Sequence, residues 1–116
     1  MSIMESLDFK GKTVFDYGCG TGILAILASQ LGAKNIDAID IELPSYENTL
    51  ENARINNIGN IKSIHGTLEK VDDQMYDIIL ANINRYVILD SFSTLNKMLT
   101  PNGILLISGI LKEDEI

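Results

Sequence analysis

The chain has little cysteine, few basic residues and no long apolar run, and each shortage closes off a class of protein. One cysteine among 116 residues allows neither an intrachain disulfide nor a cysteine-based zinc site. It fits a reducing compartment, so a cytoplasmic protein is expected. No stretch reaches the ~18 consecutive apolar residues of a membrane span. Met1 to Lys10 has neither a basic n-region nor an apolar h-region, so no secretion signal is expected there. Nine basic against sixteen acidic residues give a net charge of −7. That is the opposite of the basic face of a bare nucleic-acid-binding module, and no direct nucleic-acid partner is expected. Internal repeats, low-complexity segments and linkers are also absent from the sequence, which reads as one domain.

What is present is an ordinary globular composition, 46% hydrophobic and 22% charged. Short apolar runs alternate with helical stretches. Lys12–Asp16 is β-branched and aromatic, ends at a glycine cluster, and reads as a strand. Gly22–Leu31 is apolar nearly all round, as in a buried helix, and Gly32 punctuates its end. Asn35–Ile41 reads as a second strand. Pro44 then suits a helix first turn, with Tyr46, Leu50, Ala53 and Asn57 at helical spacing and Glu47 and Glu51 outward. Ile61–His65 alternates as a third strand, and Leu68–Gln74 reads as a loop or short helical turn. Asp77–Asn82 is a continuous apolar run, as in a central parallel strand. Ile88, Phe92, Leu95 and Leu99 mark one face of a further helix. Thr100–Gly103 is placed for a tight turn before a fifth strand, Ile104–Ser108. Strands alternating with helices predict an α/β fold with a mainly parallel sheet covered on both faces.

The segment Asp16-Tyr-Gly-Cys-Gly-Thr-Gly22 lies between the first strand and the first helix. Ligands of open α/β sheets bind there, at strand carboxyl ends near the topological switch point. Three alternating glycines exceed what a plain strand–helix turn requires. A dinucleotide fingerprint would place its third glycine at position 23, which is Ile23. A nucleotide-triphosphate loop would end in Gly-Lys-Ser/Thr, and no lysine occurs between Lys12 and Lys34. A ligand without phosphates explains the missing cation. Asp40, at the end of the second strand, can accept bonds from both hydroxyls of a ribose.

Asp-Tyr-Gly-Cys-Gly-Thr-Gly followed by Ala-Ile-Asp-Ile-Glu resembles the first two motifs of class I S-adenosylmethionine-dependent methyltransferases, which have a seven-stranded Rossmann-like sheet. Gly-Ile-Leu-Ala-Ile-Leu-Ala (22–28), Glu-Asn-Ala (51–53), Asp-Ile-Ile-Leu-Ala-Asn-Ile (77–83), Leu-Thr-Pro-Asn-Gly (99–103) and Ser-Gly-Ile-Leu (108–111) carry the resemblance further. They look like the bacterial methyltransferases that modify large-subunit ribosomal protein eleven. The resemblance runs from about Lys12 to Glu113.

The resemblance implies strand order 3-2-1-4-5 in a three-layer sandwich, with S-adenosyl-L-methionine as cofactor. Gly18, Gly20 and Gly22 would approach its amino-acid portion, Asp16 would anchor the loop and the cofactor's amino group, and Asp40 would bind the ribose hydroxyls. Thr67 stands where many methyltransferases place an aspartate for the adenine, so backbone amides at Thr67 and Leu68 would replace it. Asn82 would be catalytic, its amide oxygen orienting a substrate amine at the methyl carbon while it also touches the cofactor. Asn-Ile-Asn-Arg lacks the prolines and tyrosine of the Asn-Pro-Pro-Tyr element, so the resemblance is to the protein-amine methylating group. In-line displacement needs proximity and alignment. A lysine amine titrates near ~10.4 in water, so desolvation must supply its neutral form, and no general base is nominated.

Other residues read more plainly. Cys19 fills a small-residue slot, His65 is a polar strand end, Asp72 and Asp73 form a solvated turn, and Glu113–Glu115 start a solvated helix. Asn84 and Arg85 are either substrate contacts or solvated loop. The substrate expected from the resemblance is a ribosomal protein, recognised by an N-terminal domain not present here. Alternatives are methylation of RNA or a small molecule, a non-catalytic cofactor-binding module, and an NAD-dependent oxidoreductase, which Ile23 opposes. With five strands read and eight residues after Ser108, strands six and seven of the family are missing. The expectation is a core cut at both ends, inactive alone, whose fifth strand has an edge open to association.

Overall fold

The computed structural model describes residues 7–82 and 85–108. It contains β1 (Thr13–Tyr17), α1 (Ile23–Gln30), β2 (Asn35–Asp40), α2 (Leu43–Ile55), β3 (Ile61–His65), a 3-10 turn (Leu68–Lys70), β4 (Tyr76–Asn82), α3 (Arg85–Lys97) and β5 (Leu99–Ser108). The strands form one parallel sheet in the order β3-β2-β1-β4-β5, as expected. Among the described residues no helix is long and apolar enough to cross a membrane.

Alternation along the strands divides the core in two. Val14, Ile36, Ala38, Ile78 and Leu80 face α1 and meet Ala25 and Ala28. Phe15, Ile39, Ile79 and Ala81 face the other way and meet Leu95 and Met98. Such two-sided burial is why β4 carries an unbroken apolar run rather than an alternating one. Phe15 also stacks between Tyr17 and Tyr76, with ring centroids 5.8 and 5.0 Å away.

Several helix faces differ from the periodicity reading. In α1 the fully buried positions are the two alanines, which let the helix lie close to the sheet, while Ile23 points to solvent. In α2 the buried residues are Thr49 and Ala53; Leu50 is 45% exposed, and Asn57 lies beyond the helix with φ 56°. In α3 Phe92 is 50% exposed and Leu95 is fully buried, with Met98 completing the contact where Leu99 was expected. Leu99 already belongs to β5. The side chain of Ile88 lies outside the described residues.

The expected turn at Thr100–Gly103 is not a separate turn. β5 begins at Leu99, paired with Tyr76, and the next pair is Ile78 with Ile104. β4 therefore advances two residues while β5 advances five. The surplus forms a bulge, and a bulge is where a strand tolerates proline, here Pro101. The Asp77 carboxylate holds this end of the sheet together. Its Oδ2 accepts from the Thr13 N–H (3.0 Å) and hydroxyl (3.1 Å), and its Oδ1 accepts from the Thr100 hydroxyl (3.2 Å). The Thr13 amide lowers the Asp77 pKa.

The corrected face of α3 sets a direct comparison. Leu95→Ala should destabilise the chain by about 2–5 kcal/mol in denaturant unfolding, and Phe92→Ala by less than about 0.5 kcal/mol. Equal losses would mean that the helix is rotated from the orientation described.

Candidate functional site

β1 is the point at which the sheet order reverses, with β2 on one side and β4 on the other. The carboxyl ends of β1–β4 bring together Asp16, the glycine loop, Asp40, Thr67 and Asn82. Asp16 pairs in register with Ala38 of β2 and Leu80 of β4. Asn82 ends β4 beyond the Tyr17–Ala81 pair and is exposed.

The loop is shaped largely by the end of β2. The N–H groups of Gly18 and Cys19 both donate to the Ile39 carbonyl, at 2.9 and 3.1 Å. The Gly20 N–H donates to Asp40 Oδ2 at 3.0 Å. The Gly22 N–H folds back onto the Cys19 carbonyl at 2.8 Å, and the Gly22 carbonyl accepts the first bond of α1 from Ile26. The path needs left-handed backbone, with φ of 77°, 57° and 83° at Gly18, Gly20 and Gly22. At Gly22 a second constraint applies, because a Cβ there would lie 2.9 Å from Thr49 Cγ2.

Asp40 does more than the sequence indicated. Besides holding Gly20, its Oδ1 accepts from the Glu42 N–H at 2.9 Å. Each oxygen keeps a further lone pair, so hydroxyl donors can still bind. The Gly66 N–H reaches the Asp40 carbonyl at 3.0 Å, which brings the start of the Thr67–Leu68 segment beside it. Thr67 is exposed and Leu68 packs partly against the core.

Asp16 is wholly buried, and neither carboxylate oxygen has a hydrogen-bond partner among the described residues. Burial pushes its pKa up to about 7; the Ala25 amide pulls the other way without reaching hydrogen-bond geometry, and the negative charge of Asp40 adds to the rise. A buried carboxylate without a donor is a poor internal arrangement and a good cradle for an incoming cation.

This donor set can be tested against S-adenosyl-L-methionine. Two carboxylates and no basic side chain lie along 16–22 and 40, which suits an ammonium and ribose hydroxyls and repels a pyrophosphate. The residues present fit that cofactor.

Cys19 is buried beside Thr49, Sγ to Oγ1 3.2 Å, and burial pushes its thiol up to about 11, so it carries no thiolate near neutrality. His65 donates from Nε2 to the Ile41 carbonyl at 3.1 Å and lies tilted against Tyr46. Asp72 and Asp73 are exposed in a turn. Asn84 and Glu113–Glu115 lie outside the described residues, as does the side chain of Arg85. Periodicity missed two contacts to the loop from α2: the Thr49 hydroxyl donates to the Gly20 carbonyl at 3.3 Å, and Asn52 Nδ2 donates to the Thr21 carbonyl at 2.8 Å. Two cavities of about 400 Å³ open at the opposite, amino ends of the strands, one beside Asp37 and Tyr76 and the other beside Asp77.

Comparison with known proteins gives the family of the chain. A ribosomal protein L11 methyltransferase from Porphyromonas gingivalis is 46% identical over 115 residues, covering 98% of this chain and 40% of the relative. One from Acetivibrio thermocellus is 40% identical, covering 89% of this chain and 33% of the relative. The chain thus spans two fifths or less of these two relatives. The crystal structure of a ribosomal protein L11 methylase from Lactobacillus delbrueckii subsp. bulgaricus superposes with a TM-score of 0.85 at 39% identity, covering 97% of this chain and 60% of that one. The family model for ribosomal protein L11 methyltransferase (PrmA) matches residues 1–115, and the chain belongs to that family.

Proposed function

We propose that this chain is the S-adenosylmethionine-binding core of a longer methyltransferase that methylates amines of a ribosomal protein, either lysine side chains or an N-terminal amine. The observation that carries the reading is the buried, unpartnered carboxylate of Asp16 beneath a loop of left-handed glycines at the reversal point of the sheet. S-adenosylmethionine supplies an electrophilic methyl group on a sulfonium. Asp16 receives the cofactor's ammonium, Asp40 accepts the ribose hydroxyls while keeping Gly20 in place, and backbone at Thr67 and Leu68 meets the adenine.

Asn82 is the catalytic residue of this reading. From its exposed position at the end of β4 its amide oxygen can accept one N–H of a substrate amine and aim the lone pair. Proximity and alignment supply most of what a displacement at a sulfonium carbon requires. Burial of the amine in the closed site lowers its pKa toward the neutral, nucleophilic form. Recognition of the ribosomal protein belongs to a further domain of the longer protein, and the outer edge of β5 is where additional strands pair. A ribosomal substrate places the protein in the cytoplasm.

Asp40→Ala should weaken S-adenosylmethionine binding by roughly 10- to 100-fold in calorimetry, and NAD should bind neither form. Binding of NAD without S-adenosylmethionine would overturn the reading. Asn82→Ala, made in the longer parent protein, should retain cofactor binding and lower kcat; equal turnover would remove Asn82 from catalysis.

Asp16 predicts a pH dependence. Its folded pKa lies above the unfolded value of 3.8, so the native state binds more protons than the unfolded one between about pH 4 and 7. The unliganded chain should therefore lose stability as pH rises through that window, and Asp16→Asn should flatten the slope. A bound ammonium favours the ionised carboxylate, so cofactor binding at pH 6 should release about one proton, seen by calorimetry in buffers of different ionisation enthalpy. Affinity independent of pH from 5.5 to 8 would mean that Asp16 does not face the cofactor's charge.

A further inference from the structure

We infer that Asn52 and Thr49 of α2 are positioning residues that set the peptide planes of the glycine loop. The inference rests on the cofactor reading above and extends it to residues with no place in the cleft itself. Two successive loop carbonyls are turned toward α2: that of Gly20 accepts from Thr49 at 3.3 Å and that of Thr21 from Asn52 at 2.8 Å. Asn52 and Thr49 lie three residues apart, on one face of the helix.

A trans peptide is planar, with its C=O and the next N–H pointing in opposite directions. Turning the Gly20 carbonyl toward α2 therefore turns the Thr21 N–H away from α2. Turning the Thr21 carbonyl toward Asn52 likewise turns the Gly22 N–H away, and that group is found on the Cys19 carbonyl at 2.8 Å. The donor directions of the loop are thus set from behind. A loop of left-handed glycines has little preference of its own among backbone conformations, so external bonds must supply the order.

Thr49 adds a steric stop. It is fully buried, and its side chain occupies the space that a Cβ at Gly22 would need. Its hydroxyl gives its proton to the Gly20 carbonyl and so accepts from the Cys19 thiol at 3.2 Å. This explains why α2 buries a threonine and leaves Leu50 in solvent. It also gives the Glu-Asn-Ala segment a physical role: Asn52 reaches the loop, Ala53 packs into the core, and Glu51 pairs on the surface with Arg54.

The test uses the full chain with two readouts, amide hydrogen exchange of Gly20–Ile23 without ligand and S-adenosylmethionine affinity by calorimetry. Asn52→Ala should speed exchange in the loop about fivefold and weaken binding by a similar factor, with the thermal midpoint lowered by only a few degrees. Asn52→Asp keeps the size but sets an acceptor against the Thr21 carbonyl, so its effect should be larger. Asn56→Ala, one turn further along α2, removes a bond to the Asn52 carbonyl and should change neither readout. Unchanged loop exchange in both Asn52 variants would overturn the inference, whether or not the cofactor binds. Faster loop exchange in a chain that binds no S-adenosylmethionine would uphold the positioning role and defeat the cofactor reading instead.

Discussion

The described fold is arranged around β1, paired over all five residues with β2 and from Val14 to Tyr17 with β4, and buried on both faces at Val14–Asp16. Parallel pairing on both sides forces the chain to leave β1 toward β2 through α1 and to return on the other side as β4. The divergence of those connections leaves the gap above the carboxyl end of β1. Val14 and Phe15 point into opposite halves of the core, so neither half can form without the strand. The loop inherits its start from this strand and its bonds from β2, whose Ile39 carbonyl and Asp40 carboxylate hold three consecutive loop amides.

Against that frame, one buried side chain among the described residues is left unsatisfied, that of Asp16. An unpaired buried polar group costs about 1–3 kcal/mol, and a charged one more, in a molecule whose whole stability is of order 5–15 kcal/mol. Asp16 could be tolerated only where burial elsewhere is thorough, and its neighbours Phe15, Ala38 and Leu80 are all buried. The negative charge of Asp40 nearby adds to the cost and to the attraction for a cation. In the proposed cofactor complex an ammonium would relieve this cost, so the electrostatics that weaken the free protein would strengthen the complex.

The strands and the glycine loop were readable because each follows from a local rule: apolar runs bounded by glycine, and a spacing that excludes the nucleotide loops; the order of the strands came from the family resemblance. The helix faces were less readable. Helical spacing groups Leu50 with Ala53 and gives Thr49 no part, yet α2 buries Thr49 and answers to the polar loop as much as to the core. In the same way Phe92 fits the periodic stripe of α3, but the stripe that meets the sheet runs through Leu95 to Met98. The Pro-Asn-Gly sequence has turn chemistry, and only pairing with β4 on both sides of it turns it into an interruption of a strand. Asp16 and Asp40 were legible as polar residues at strand ends. That one is orphaned and the other is a structural acceptor depends on distances between β1, β2 and the loop, which no spacing along the chain records.

The surplus residues in β5 have a consequence for how such a sheet can change. The stretch from Thr100 to Gly103 lies at the amino end, tied down by Thr100 on Asp77, and pairing resumes at Ile104 in regular register to Ser108. An insertion or deletion in that stretch is absorbed before the strand rejoins its neighbour, so Ile107 still meets Ala81 and Ser108 still meets Asn82. The loop after β1 has no such slack, since each of its residues from 18 to 22 is bonded to something outside itself or to its own next turn. Of these two segments, Thr100–Gly103 is therefore the one that tolerates a change of length, and the loop after β1 is not.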